Sequence, residues 1–425
     1  MARFSPLSLD RWRFWFDRLQ EKLWIRPLAL CLLSIVGAFV AKLADGTGLA
    51  ELVPKVAEGS VESLLSVMAS SMLTIATLAV GSMVAAYASA STSATPRSIP
   101  LVISDDVTQN ALSAFLGAFI FSLISLVSVK NSFYGEAGLF TMFVLTLWVF
   151  ALVVVTFVRW VDRIARLGRL GNTIAQVEEA TRRALERRRR APTLCGLDET
   201  PGEPQGLPLY STEVGYVQHI SVATLQNEAV EREARVTLMV LPGTFVCTER
   251  PMAFIEGVAQ EDLAEFARAF TLGRNRTFED DPRFGLVALS EIADKALSPG
   301  INDPGTAIDV INTMVRLLTL WIKPPEDETP LETAYDRVVV PKLNVDDMLD
   351  DAFTAIARDG AGMVEVGVRL QKAFRSLEAL NNQAMSRAAR RHAQLALERA
   401  ERALTQAEDK AVVRANACLG TRTSD

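Results

Sequence analysis

Four apolar stretches occupy residues 28–43, 64–90, 111–129 and 139–158, and at Arg159 the chain turns abruptly into an arginine-studded segment leading into about 260 mostly polar residues. A helix rises about 1.5 Å per residue, so roughly 20 apolar residues cover the hydrocarbon core of a bilayer. The third and fourth stretches meet that length and the second exceeds it. The first is short and ends at Lys42, whose stem can lie in hydrocarbon while its ammonium reaches the headgroups. The pattern predicts four transmembrane helices, then a large polar domain on one side with no further span. Arg11, Arg13, Arg18, Lys22 and Arg26 ahead of the first stretch resemble a signal peptide, but three more spans follow, so the segment reads as a signal anchor.

Lys and Arg flanking membrane spans are retained on the cytoplasmic side. The basic N-terminus and the border Arg159, Arg163, Arg166 and Arg169 therefore both belong inside, which requires an even number of spans. Residues 44–63 carry Asp45, Glu51, Glu58 and Glu62 against Lys55 alone, and the 130–138 turn carries Lys130 and Glu136, as suits the opposite side. Trp24 and Trp160 fall where an inner aromatic belt would lie. The formal net charge of −6 argues against a nucleic-acid partner. Cys31, Cys195, Cys247 and Cys418 show no CxxC spacing, so neither a disulfide framework nor a zinc site is expected, and no cofactor is implied.

The second span has an unusual composition. Ser66, Ser70, Thr74, Thr77, Gly81, Ala85 and Ser89 recur every three or four residues and form one stripe on a helix. Two readings fit. Small side chains let membrane helices approach closely and hydroxyls bond across the contact. Alternatively, the same stripe lines a hydrated path in a homo-oligomer. Following this span, the 91–110 loop carries two prolines and then Asp105 and Asp106, placed to cap the third span at the positive end of its dipole or to ring an inner mouth and concentrate cations.

The remaining chain divides by composition. Residues 1–26 form a basic cytoplasmic N-terminus, 27–160 the four-span region, and 161–190 an inward helix ending in the run Arg187–Arg190, which reads as a solvated face, with lipid contact the alternative. The Pro- and Gly-rich stretch 191–212 reads as a linker. Alternating segments at 215–221, 234–246 and 252–258 predict a small β-rich module over 213–258, with a helix at 222–233. His219, without ligand-spaced neighbours, reads as a strand-surface residue. Residues 259–419 are helical in pattern, interrupted at Gly360-Ala361-Gly362, and 420–425 is expected to be a disordered tail. The expected fold is thus a four-helix membrane region followed by a cytoplasmic α+β domain, a small β-rich module plus a helical bundle.

Asp281-Pro282 and Asp303-Pro304 both have the form of an N-cap followed by proline at the first helical position. They predict a hairpin of helices running to about Leu297 and about Leu320. Leu286, Leu289, Ile292, Ala293 and Ala296 share one face, and Ile308, Ile311, Val315 and Leu318 another. Arg274 and Arg276 precede the first helix, and Asn302 and Asp303 open the second. The arginines either hold loops by pairing with Asp280, Asp281 or Asp303, or help receive a small anion or a protein partner at an exposed helix start. A hairpin puts its two helix starts at opposite ends, which opposes one shared site.

ALSPGINDPGTA at 296–307, preceded by GRNRT at 273–277 and DPRFG at 281–285, resembles the signature of a bacterial family of predicted membrane proteins catalogued as a domain of unknown function. PRSIPLVISDDVTQNALSAFLGAFIFSLISL at 96–126, GYVQHI at 215–220 and PGTFV at 242–246 extend the likeness over most of residues 60–360. The resemblance implies a four-span membrane region with a cytoplasmic domain in a bacterial inner membrane, and it brings no activity or catalytic residue.

No GxSxG, Walker A or HExxH pattern occurs, and His219 and His392 are the sole histidines, so catalysis is not expected. Two functions of different class fit. One is a homo-oligomeric channel or pore with a cytoplasmic regulatory domain. The other is a non-conducting sensor or scaffold anchored in the bilayer, whose cytoplasmic domain binds a ligand or a protein.

Overall fold

The computed structural model describes residues 25–46, 53–93, 95–103, 106–164, 170–198, 205–323 and 331–417. The N-terminal arginines through Lys22, Trp24, Asp105, Arg166, Arg169, Cys418 and the tail from Gly420 lie outside the described residues. The chain divides into two compact units, Met1–Thr173 and Ile174–Asp425.

The first unit is helical throughout its described residues: α1 (Ile25–Leu43), α2 (Glu58–Ser93), the short α3 (Ile99–Ile103), α4 (Asp106–Lys130) and α5 (Glu136–Ile164). α4 is the central helix and packs against α1, α2 and α5. Near one end Phe115 and Trp160 meet edge to face at 6.0 Å with Phe157 beside them. Toward the other, Leu65, Phe121, Val129 and Met142 form a second apolar cluster. The far end of the bundle is tied by Asp45, just past α1. Its carboxylate accepts the Gly135 N–H at 2.8 Å and the Gly138 N–H at 2.6 Å, and it pairs with Lys42 at 3.0 Å. One loop thus supplies the missing partners at the start of a helix from another part of the chain.

Four helices among the described residues are long and apolar enough to cross a membrane: Glu58–Ser89, Val107–Lys130, Glu136–Ile164 and Pro304–Ile322. The first three coincide with the second, third and fourth expected spans, and α1 forms where the first was expected. Pro304–Ile322 was not among the expected spans. Its Ala307, Val310, Ile311, Met314 and Leu318 are fully buried inside the second unit, and Asp309 and Arg316 interrupt its apolar pattern.

The second unit contains all but the first four residues of α6 (Leu170–Arg190) and continues with β1 (Leu207–Tyr210), β2 (Gly215–Ile220), α7 (Val222–Glu231), β3 (Arg235–Leu238), β4 (Phe245–Val246), β5 (Pro251–Glu256), α8 (Leu263–Ala267) and β6 (Phe270–Gly273). Next come α9 (Pro282–Leu297), α10 (Pro304–Ile322), β7 (Val338–Val339), α11 (Val345–Asp359), α12 (Val364–Glu378), α13 (Gln383–Ala403) and α14 (Ala407–Ala415). Two sheets form, one ordered β1-β5-β3-β7 and the other β4-β2-β6. All pairings are antiparallel except β3 with β7. Val217, Leu225, Leu238, Ile255 and Phe266 are fully buried in the core of this module.

The module is larger than the sequence pattern suggested. β1 falls in the expected linker, where Leu197 also bridges to Val339, and β6 and β7 fall in the stretch expected to be helical. These strands are two to four residues long, too short to carry a period of their own, and each is fixed by its partner strand.

The Asp-Pro starts behave as their chemistry dictates. Asp281 accepts the Phe284 N–H at 3.1 Å and Asp303 the Thr306 N–H at 3.1 Å, each with proline in the first turn. α9 buries Leu286, Leu289, Ile292, Ala293 and Ala296, and packs on α10 and α11. On α10 the most buried face runs through Ala307, Val310, Ile311, Met314 and Leu318, so Ile308 and Val315 of the expected face are only partly covered. α13 lays an alanine face, from Ala388 to Ala400, on α11 and α12.

Candidate functional site

The first candidate is the outward face of α2. Val61, Leu65, Met68, Met72, Ala76, Ala79 and Met83 point inward and are buried. Ser66, Ser70, Thr74, Thr77, Gly81, Ala85 and Ser89 are all exposed on the opposite side. Among the described residues the small-residue stripe is therefore not buried against another helix. A groove lined by Leu73, Thr74, Thr77, Leu78, Gly81, Ser82 and Ala85 runs along it, and a Cβ at Gly81 would meet open space. Ser70 Oγ donates to Ser66 O at 3.1 Å, Thr74 Oγ1 to Ser70 O at 3.0 Å, and Thr77 Oγ1 to Leu73 O at 2.9 Å. Exposed α5 side chains such as Leu147, Trp148, Phe150, Val155 and Val158 are large by contrast, as a lipid-facing surface is. The other candidate of this unit, the acidic pair, is not resolved as a site, because Asp105 lies outside the described residues and Asp106 opens α4.

The second candidate is a charged cluster in the second unit where the last turn of α6 meets the first turn of α9. Arg276 grips Asp281 with two bonds, Nε to Oδ2 at 2.7 Å and Nη2 to Oδ1 at 3.0 Å, and lies 5.3 Å from the Phe284 ring centroid. Asp280 receives the His219 ring from β2, Nδ1 to Oδ2 at 2.6 Å. Arg187 donates to the Glu279 carbonyl. Arg188 is 3% exposed, with neither Nη atom bonded.

Burial raises the Asp281 carboxyl above its ordinary value despite Arg276. Burial raises Asp280 too, but the His219 bond and the charges of His219, Arg187 and Arg188 outweigh it and leave Asp280 low. Burial pushes the Arg188 guanidinium down to about 10, against the pull of Asp280 and Asp281.

Helix crossing explains how Arg188 is carried inside. Ile174, Val177, Thr181, Ala184, Leu185 and Arg188 fall on one face of α6 at helical spacing, and all are buried. Thr181 sits directly against Gly285 of α9, where a Cβ would lie 2.7 Å from Thr181 Cβ and Cγ2. Arg316 of α10 holds Glu178 at 2.7 Å, and Arg189 donates to the Leu320 carbonyl.

Of the residues the sequence singled out here, Arg276 and Asp281 come together, while Arg274 is exposed. Asn302, at φ 52°, is exposed in the α9–α10 connection, and Asp303 serves Thr306 at the opposite end of α9 from Asp281. The two helix starts do not converge. His219 lies part-exposed on strand β2 and bonds Asp280, and Arg188 departs from the solvated arginine run expected there. Among the described residues no group of three His, Cys, Asp or Glu is placed to hold a metal ion.

Long apolar helices with large outward side chains, followed by a domain of helices and mixed sheets, define a membrane protein with an appended α+β domain. The chain belongs to the family described as Predicted membrane protein (DUF2254), whose model matches residues 20–376. It is 33% identical over 125 residues to the uncharacterised proteins Rv1290c of Mycobacterium tuberculosis and Mb1321c of Mycobacterium bovis. That match covers 27% of this chain and 24% of each relative, so the chain spans about a quarter of the length of the curated relatives it matches. No solved structure matches.

Proposed function

We propose that this chain is a four-span protein of a bacterial inner membrane, with both ends in the cytoplasm, and that copies of it assemble so that the α2 stripes enclose a path for ions. The 174–425 unit then acts as a regulatory domain with no catalytic step. One observation carries the reading: all seven stripe residues are exposed among the described residues, along a groove with room at Gly81. Without packing inside one chain, such a surface is suited to another chain or to water. A second copy is the economical partner, because it brings the same small residues to the contact. The hydroxyls of Ser70, Thr74 and Thr77, bonded to their own backbone, stay met when the lining dries or wets. The burial of α10 in the second unit supports counting α1, α2, α4 and α5 as the four spans. The arginines at 159 and 163 against the acidic 44–63 connection support the orientation.

The test is purification of the full chain, a subunit count, and reconstitution in a planar bilayer. Conductance is expected, reduced by Ser70→Leu or Gly81→Leu in protein that assembles normally. A properly assembled oligomer silent under voltage, tension and pH change would defeat the pore. Unchanged conductance in both variants would defeat the assigned face.

A further inference from the structure

Arg188 is the most costly feature of the second unit if nothing meets it. Its guanidinium is buried, 3% exposed, and both Nη atoms lack a hydrogen-bond partner. A buried charge without a partner is among the least favourable arrangements in a fold. The nearby carboxylates hydrogen-bond other groups rather than Arg188. Asp281 gives both oxygens to Arg276 and also caps Phe284, and Asp280 holds His219. Arg187 donates to the Glu279 carbonyl and adds its charge to Asp280. Arg187, Arg188, Arg276 and Arg283 all act on Asp280 or Asp281, and Arg283 is itself paired with Asp347 and Asp351, so the other three guanidiniums outnumber the two carboxylates. The cluster also lies at the start of α9, a 16-residue helix whose dipole presents its positive end there.

We propose that Arg188 receives a small oxyanion, a phosphate or a group of that shape, between the last turn of α6 and the first turn of α9. The two Nη atoms offer the parallel donors that two oxygens of one anion accept. The anion supplies the hydrogen bonds that the two Nη atoms lack and fastens α6 to α9 at the end of the Thr181–Gly285 crossing. A free phosphate and a lipid headgroup share this chemistry. The site stands whether or not the protein conducts.

The experiment uses the full-length chain in neutral detergent at constant ionic strength set with chloride. Thermal unfolding is followed while inorganic phosphate replaces chloride, and in a parallel series as phosphatidylglycerol is added to the micelles. The wild-type midpoint is expected to rise with one of the two additions, and Arg188→Met is expected to weaken the apparent affinity at least tenfold. A rise with phosphate identifies a free oxyanion, and a rise confined to phosphatidylglycerol identifies the headgroup. If Arg188→Met does not fold, Arg188→Lys keeps the charge but loses the fork, and should also bind at least tenfold more weakly. The proposal is overturned if neither addition moves the wild-type midpoint, or if the Arg188 variant that folds responds as the wild type does.

Discussion

Replacing Gly285 by Ala probes the joint between α6 and α9 with a single atom. In isolation the change favours a helix by about 1 kcal/mol, since Ala is the better helix former. Here the new Cβ would overlap Thr181 Oγ1 and stand 2.7 Å from Thr181 Cβ and Cγ2, where ordinary contact begins at 3.4 Å. Closing that deficit needs a shift of about 0.7 Å or more between two packed helices, and overpacking of this kind costs about 1–3 kcal/mol. Thr181 cannot swing aside, because its Oγ1 donates to Val177 O at 2.6 Å and its residue is 1% exposed. The cost should therefore lie at the upper end, for a net loss of about 2 kcal/mol. In a unit of this size that lowers the midpoint by about 4–8 °C. Thr181→Ala removes Oγ1 and Cγ2 from the overlap, so the double variant should recover most of the loss, with a coupling of about 1–2 kcal/mol. Pulse proteolysis in urea of the solubilised full chain, scored on the C-terminal fragment, reads each corner of the cycle. A Gly285→Ala variant as stable as the wild type, or losses that merely add, would refute the close crossing.

Asp45→Ala should destabilise the first unit by about 1–3 kcal/mol, because it strips two N–H groups and Lys42 of their acceptor. Burial raises the Asp45 carboxyl, but the Gly135 amide, Lys42 and the Gly138 amide together hold it below its ordinary value. Its contribution is thus complete above about pH 4 and is lost as pH falls through the lowered value, so thermal unfolding of Asp45→Ala should show a shallower acid slope than wild type. Asp294 on α9 behaves oppositely: burial and the neighbouring Asp359 push it up to about 6, while Arg358 holds Asp359 at about 2. A raised carboxyl stabilises most below its unfolded value near 3.8 and loses that contribution as pH rises through 6. Asp294→Asn should flatten the stability profile between those limits, and an unaltered profile would exclude the shared-proton pair. Gly243→Ala places a Cβ on the Asp281 carboxylate, 2.7 Å from Oδ1, at a φ of 94°. Loss of about 3 kcal/mol or more is expected from urea unfolding, through backbone strain and displacement of Asp281 from Arg276.

Local chemistry was the legible part of this chain. Asp281 and Asp303 cap the helices they precede because a cap acts across three residues, and the apolar stretches declare helices because length and hydropathy are written in sequence. The Arg187–Arg190 run was misread as solvated in one position. Arg188 is in phase with Val177, Thr181, Ala184 and Leu185, so periodicity carried a signal that charge obscured. Asp45 on the Gly135 and Gly138 amides joins positions 90 and 93 residues apart, and no local pattern specifies it. The same holds for β7, which reaches β3 across the whole α9–α10 pair. The outward direction of the α2 stripe was equally beyond the sequence, since periodicity fixes which residues share a face but not what that face meets.

On the α2 stripe, Ser70, Thr74 and Thr77 each return their hydroxyl proton to a carbonyl one turn back. That makes these three positions self-sufficient. A newly inserted copy can rest in hydrocarbon as a single chain, with these donors already met and not forcing it into the first contact. Shape, rather than unmet polarity, then decides what docks there, so membrane insertion and assembly can be separate events in time.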